Sequence, residues 1–120
     1  MNPVIWIRFG AGFMFLAVAF GAFGAHALKS RLSPEMLAVF ETGVRYQVYH
    51  ALGLFALASF GGPDKSGWCF VGGIVLFSGS LYLLALTGER RLGMITPIGG
   101  VLFLAGWLCL LFRSYPQATP

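Results

Sequence analysis

Glu41-Thr42-Gly43-Val44-Arg45-Tyr46-Gln47-Val48-Tyr49-His50 is the run where several polar groups press into a long apolar segment. At about 100° per residue, Glu41, Arg45 and Tyr49 form one ridge of a helix, and Thr42, Tyr46 and His50 form the ridge beside it. Gln47 lies just past the far edge. Glu41 and Arg45 are in register for an ion pair. At a rise of about 1.5 Å per residue, His50 sits roughly 9 Å in from Val44. Polar groups that deep in a membrane helix face the bundle interior and find partners there. The stretch therefore calls for other helices around it.

The rest of the chain supplies them. Of 120 residues, 58% are apolar and 10% charged, with a mean hydropathy of +0.80. Soluble domains carry about 25% charged residues, and a chain this short could not hide so much apolar surface from water. A bilayer resolves the conflict. At roughly 20 residues per span, four spans take up about two thirds of the chain and leave only short connections. The expectation is a single integral membrane domain over residues 1–120. The net charge of +4 sits at span ends, a pattern of membrane orientation and not of nucleic-acid binding. Two cysteines, Cys69 and Cys109, are too few for a disulfide framework and are read as free, buried thiols.

Outward from the central stretch, span 1 is expected over residues 4–25, with Trp6 and Arg8 anchoring its first end. Gly10, Ala17 and Gly24 recur every seven residues and give one smooth face for close helix packing. Ala25-His26-Ala27 has the form of a signal cleavage site, but the apolar run is too long and its amino end too weakly basic, so span 1 is read as retained. Ser33-Pro34-Glu35 reads as a helix start, with a capping serine, proline at the first position and an acid at the positive dipole end. A short interfacial helix is expected here, with a bend at Gly43 leading into span 2 over residues 44–60. Gly61 to Gly67 reads as a turn. Span 3 is expected over residues 68–86 and span 4 over residues 92–112, kinked at Pro97. Gly99 and Gly106 offer a second smooth face. The third connection, residues 87–91, is short enough to make spans 3 and 4 antiparallel neighbours. Five cations (Lys29, Arg31, Arg45, Arg90, Arg91) lie toward connections 1 and 3, against three (Arg8, Lys65, Arg113) on the other side. That imbalance places connections 1 and 3 in the cytoplasm and both termini outside.

Four motifs in order resemble a known family: Gly21-Ala22-Phe23-Gly24-Ala25-His26, Tyr46-Gln47-Val48-Tyr49-His50-Ala51-Leu52, Phe77-Ser78-Gly79-Ser80-Leu81-Tyr82-Leu83-Leu84 and Ile95-Thr96-Pro97-Ile98-Gly99-Gly100. The chain resembles, over nearly its whole length, the YgdD-like small membrane proteins, catalogued as domain of unknown function four-two-three. Their eukaryotic relatives are named only as transmembrane proteins. The resemblance implies an all-α, polytopic bundle of four transmembrane helices in the bacterial inner membrane. It brings no activity and no catalytic residue.

The candidate polar cluster comprises His26, Glu41, Arg45, Tyr46, Gln47, Tyr49, His50, Ser80 and Thr96, with Ser78 and Tyr82 as further members. It admits a site for a small molecule, a lipid headgroup or a proton, a patch for a partner, or a buried network that fixes helix register with no ligand. A metal or haem held by His26 and His50 lacks further ligands, so no metal and no cofactor are expected. No nucleophile with an adjacent base is present, and no phosphate-cradling glycine loop leads into a helix, so enzyme activity is not expected. The reading is a non-enzymatic membrane protein that binds a protein partner, lipid or small ligand, in the bilayer and alone or as a homo-oligomer. The alternative is a small oligomeric transporter or channel, weakened by the lack of an internal repeat.

Overall fold

The computed structural model describes residues 2–115. Four long helical runs account for most of them, and no strand forms among the described residues. We label them α1 (Val4–Leu28), α2 (Pro34–Phe60), α3 (Asp64–Thr87) and α4 (Thr96–Leu111), the last preceded by a 3₁₀ segment, Arg90–Met94. α1, α3 and α4 with its 3₁₀ lead-in are long and apolar enough to cross a membrane. α2 carries Glu35, Glu41 and Arg45 and is not among them.

α2 is the axis of the bundle. α1 packs along one side of it and α3 along another, and α4 packs on α3. Its start follows the capping logic: Ser33 Oγ accepts from Met36 N at 3.1 Å, Pro34 occupies the first turn and Glu35 follows. Its end is set by Gly61, which turns left-handed at φ 66° while Gly62 N donates back to Leu57 O at 3.0 Å. That conformation suits glycine because it has no Cβ to clash.

The interfacial helix expected before span 2 does not appear as an element of its own. Pro34–Phe60 is one unbroken helix that runs through Gly43. Gly43 serves close approach instead: a Cβ built on it would stand 2.8 Å from Tyr82 Cε1 and 3.3 Å from the Ser78 carbonyl. The second connection is also shorter than the turn expected over Gly61–Gly67. α3 begins at Asp64, whose carboxylate lies in the first turn, and Gly67 is buried within the helix. Its missing side chain leaves room for the Trp6 ring. Trp6 is consequently only 2% exposed, with Nε1 donating to Asp64 Oδ1 at 3.3 Å. It is a core residue and not the interfacial anchor that its position suggested. With Leu54, Leu57 and Phe70 it forms the main core, at the end of the bundle holding connection 2.

α1 and α3 each contain a widened, π-type turn, Ala19–Gly24 and Ile74–Ser78. Such turns shift side-chain register mid-helix. Pro97 produces no mid-helix kink, because it sits in the first turn of α4, where its missing N–H is not needed. Gly99 and Gly106 face inward as expected: a Cβ on Gly99 would meet Phe77 Cα at 2.8 Å, and one on Gly106 would meet the Phe70 ring at 2.6 Å. α3 and α4 are antiparallel neighbours joined by a short connection, with Gly88 left-handed at φ 73°. Cys69 and Cys109 are free thiols, each half-buried.

Candidate functional site

Gln47 is the middle residue of α2, and three helices meet on it. Its Nε2 donates to the Phe13 carbonyl of α1 at 2.7 Å, and its Oε1 accepts from Tyr82 Oη of α3 at 2.6 Å. The Phe13 carbonyl is an interior helix acceptor, so the amide joins α1 without breaking that helix's own bonds. Tyr82 is steadied by two rings, Phe20 of α1 at 5.2 Å and Phe40 of α2 at 5.1 Å between centroids. One turn from Gln47, Ser78 Oγ donates to the Gly43 carbonyl at 2.6 Å.

His50 joins α2 to α4. Its Nδ1 lies 2.7 Å from the Tyr46 carbonyl. A carbonyl can only accept, so Nδ1 carries the proton, and Nε2 accepts from Trp107 Nε1 at 3.0 Å. Both ring nitrogens are thereby engaged. The ring stacks on Phe103, with centroids 3.6 Å apart and planes 8° from parallel. The same two helices border a groove of about 440 Å³ lined by Tyr46, His50, Phe77, Pro97, Phe103 and Trp107 among others.

α3 and α4 are tied by Ser80 Oγ and Thr96 Oγ1, 2.5 Å apart, and by Ser66 Oγ donating to the Gly106 carbonyl at 2.8 Å. At the end of the bundle, Arg113 Nη1 donates to the Gly61 carbonyl. Among the described residues no buried side-chain polar atom lacks a partner. In a bilayer interior, where unpaired polar groups cost most, this satisfies the chief requirement on a polar core.

The expected cluster thus divides in two. Gln47, His50, Ser80 and Thr96 point inward, each bonded to another helix. Arg45, Tyr46 and Tyr49 point outward, and Glu41 lies half-buried beside them. Glu41 and Arg45 form no ion pair; among the described residues the pair formed is Arg91 with Glu89, at 3.6 Å. Tyr46 and Tyr49 pack edge to face, 5.5 Å between centroids, with Tyr49 53% exposed. His26 is exposed near the end of α1, and no hydrogen bond, ion pair or ring contact joins it to the rest among the described residues. The structure does not bring the two histidines together into a ligand pair. No cluster of three metal-ligating side chains occurs among the described residues.

Two partners in this network were not found from sequence. Trp107 carries an indole N–H, which inside an apolar span must find an acceptor. Ser66 lies in the stretch expected as a turn, which is helix from Asp64 onward.

Known proteins carry similar sequences. Residues 20–100 match the family described as "Protein of unknown function (DUF423)". A UPF0382 membrane protein of Staphylococcus saprophyticus is 48% identical over 116 residues, covering 92% of this chain and 97% of its own. UPF0382 membrane protein YwdK of Bacillus subtilis is 46% identical over 117 residues, covering 92% and 95%. A UPF0382 membrane protein of Staphylococcus aureus is 43% identical over 119 residues, covering 95% and 98%. No solved structure matches. The matched segment takes in the end of α1, all of α2 and α3 and the start of α4, where Gln47, Tyr82, Ser80 and Thr96 meet, and the chain is a membrane protein of the DUF423 family.

Proposed function

We propose that this protein crosses the bilayer four times, with α2 as the central span, and acts without catalysis. It binds a lipid, a small ligand or a membrane protein on the outward half of the α2 cluster, Glu41, Arg45, Tyr46 and Tyr49. The first turns of α2 then lie at the interface, connections 1 and 3 face the cytoplasm, and both termini face out. One observation carries the binding reading. Every inward polar group of α2 has a protein partner, while Arg45 and two tyrosines stay exposed on the same helix. Ionisable groups at membrane depth are expensive, and they persist where something engages them.

Support for four crossings comes from the outer surface. Phe15, Phe23 and Leu104 are each well over half exposed, as suits side chains in lipid. α2 is 27 residues long, about 40 Å of helix, enough to span. The transport alternative has less support, because the buried polar groups of the described residues are paired and Gly43, Gly99 and Gly106 sit in close contact with neighbouring helices.

The test is a photoreactive residue at Tyr49 in intact membranes, with one at Leu104 on α4 as control. Binding predicts a discrete adduct at position 49 that is missing at 104 and lost in the Arg45→Ala background. Identical, diffuse lipid labelling at both positions sinks the reading.

A further inference from the structure

Glu41 and Arg45 stand one helical turn apart on α2, opposite in charge and in register to pair, and they do not pair. They line instead a hollow of about 330 Å³ on the outside of α1 and α2, with Gly21 and Val44. Gly21 belongs to the widened turn of α1, and it keeps the hollow shallow-walled: a Cβ there would already crowd Val44 Cγ1 at 3.0 Å. Two opposite charges held apart beside a lipid-facing hollow match a ligand that is itself a separated ion pair.

We propose that this hollow holds the headgroup of an aminophospholipid, with the phosphate on Arg45 and the primary ammonium on Glu41. The assignment rests on the binding reading given above and names its ligand. Vertical order supports it. α2 begins at the connection-1 end, so Glu41 lies about 6 Å nearer that interface than Arg45. In such a lipid the phosphate is attached next to the glycerol and the ammonium lies beyond it, toward water. The deeper cation therefore meets the deeper anion, and the shallower carboxylate meets the outer cation. Arg45 lies deep for a headgroup, but side chains on a helix lean toward its amino end. A long cationic stem extends the same way, and the leaflet thins locally around such a charge. The planar guanidinium forks onto phosphate oxygens with two parallel bonds. Other common headgroups satisfy only half of the pair. A glycerol headgroup leaves Glu41 without a cation, and a quaternary choline has no N–H to donate to it.

The experiment is native mass spectrometry of the full chain released from nanodiscs of equal ethanolamine, glycerol and choline phospholipids, with thermal unfolding measured alongside. Wild type is expected to retain the ethanolamine lipid roughly tenfold over either competitor, about the scale of one charge-assisted hydrogen bond. E41Q is expected to abolish that preference while still holding phospholipid. R45Q is expected to lose retention of all three. Arg45 is exposed and Glu41 half-buried, and neither bonds another side chain among the described residues, so both variants should melt close to wild type. Equal retention of the three lipids by wild type overturns the assignment, as does R45Q retaining lipid like wild type. A discrete protein adduct at Tyr49 together with equal lipid retention would keep the binding reading and discard the lipid.

Discussion

The two faces of α2 use similar residue types to opposite ends. On the inner face an amide and an imidazole, Gln47 and His50, are each bonded at both ends, to α1 and α3 or to α2 itself and α4. On the outer face a guanidinium and a carboxylate line an open hollow, and two phenols are partly exposed. Depth does not separate these groups, since Tyr46 adjoins Gln47 and Tyr49 adjoins His50. Facing does. Polarity along this one helix is thus two signals: the inward groups bond to neighbouring helices, and the outward groups form no hydrogen bond to another helix among the described residues.

The sharpest way to break that division is to wedge the inner face open. Gly43→Leu would drive a side chain into Tyr82 and the Ser78 carbonyl and push α3 off α2. We expect a loss of about 3 kcal/mol, the upper part of the range for overpacking, read as earlier unfolding in a detergent titration. Wild-type stability in that variant would mean that α2 and α3 are not in contact there.

Gln47→Leu comes next. It removes two interhelical hydrogen bonds and leaves Tyr82 Oη without its acceptor. Interhelical bonds in membranes average only about 0.6 kcal/mol and reach about 1.7, so roughly 2 kcal/mol is the expected total. Because the amide links three helices, spectroscopic probes on α1 and on α3 should both report loosening. A change confined to one of them would show that Gln47 is a pairwise contact and not a junction.

How far could this be read from sequence? Helix number, the Ser33 cap, the smooth faces of Gly10, Ala17, Gly99 and Gly106 and the inward turn of His50 all follow from spacing and the demands of the bilayer. Three features did not. At Gly43 the residue type alone signals both a bend and a close approach, and the close approach shows only through the neighbour Tyr82. Gly67 fits a turn for the same reason, and Trp6, sixty-one residues away, decides otherwise. The division of the cluster into inward and outward groups depends on where α1, α3 and α4 sit around α2. The widened turns in α1 and α3 shift that register without any mark in the residues themselves. Periodicity locates a polar face; it does not say which of two adjacent ridges the neighbours cover.

The His50–Trp107 pair gives a smaller test of the inner face. A double-mutant cycle with His50→Phe and Trp107→Phe keeps ring volume close while removing the hydrogen bond. A coupling of about 0.6 kcal/mol, and no more than about 1.7, is expected. The His50 ring also stacks on Phe103, and Phe at position 50 preserves that stack, so the cycle isolates the indole bond. Zero coupling would leave ring packing, of His50 and Tyr46 on Phe103, to tie α2 to α4 at this level.

The smallest expected effect on stability falls on the outer face, where it is the most informative. Tyr49→Ala removes an exposed ring whose neighbour is Tyr46, with no buried bond behind it. Surface changes of this kind stay within about 0.5 kcal/mol, so unfolding should be nearly unchanged. The effect should appear instead in the membrane, as loss of whatever occupies the face beside Arg45. If Tyr49→Ala destabilised the bundle as much as Gln47→Leu, the outer tyrosines would be part of the scaffold and the distinction between the faces would fail. If it changed neither stability nor crosslinking, the occupied region would contract to Glu41, Arg45 and the hollow beside Gly21.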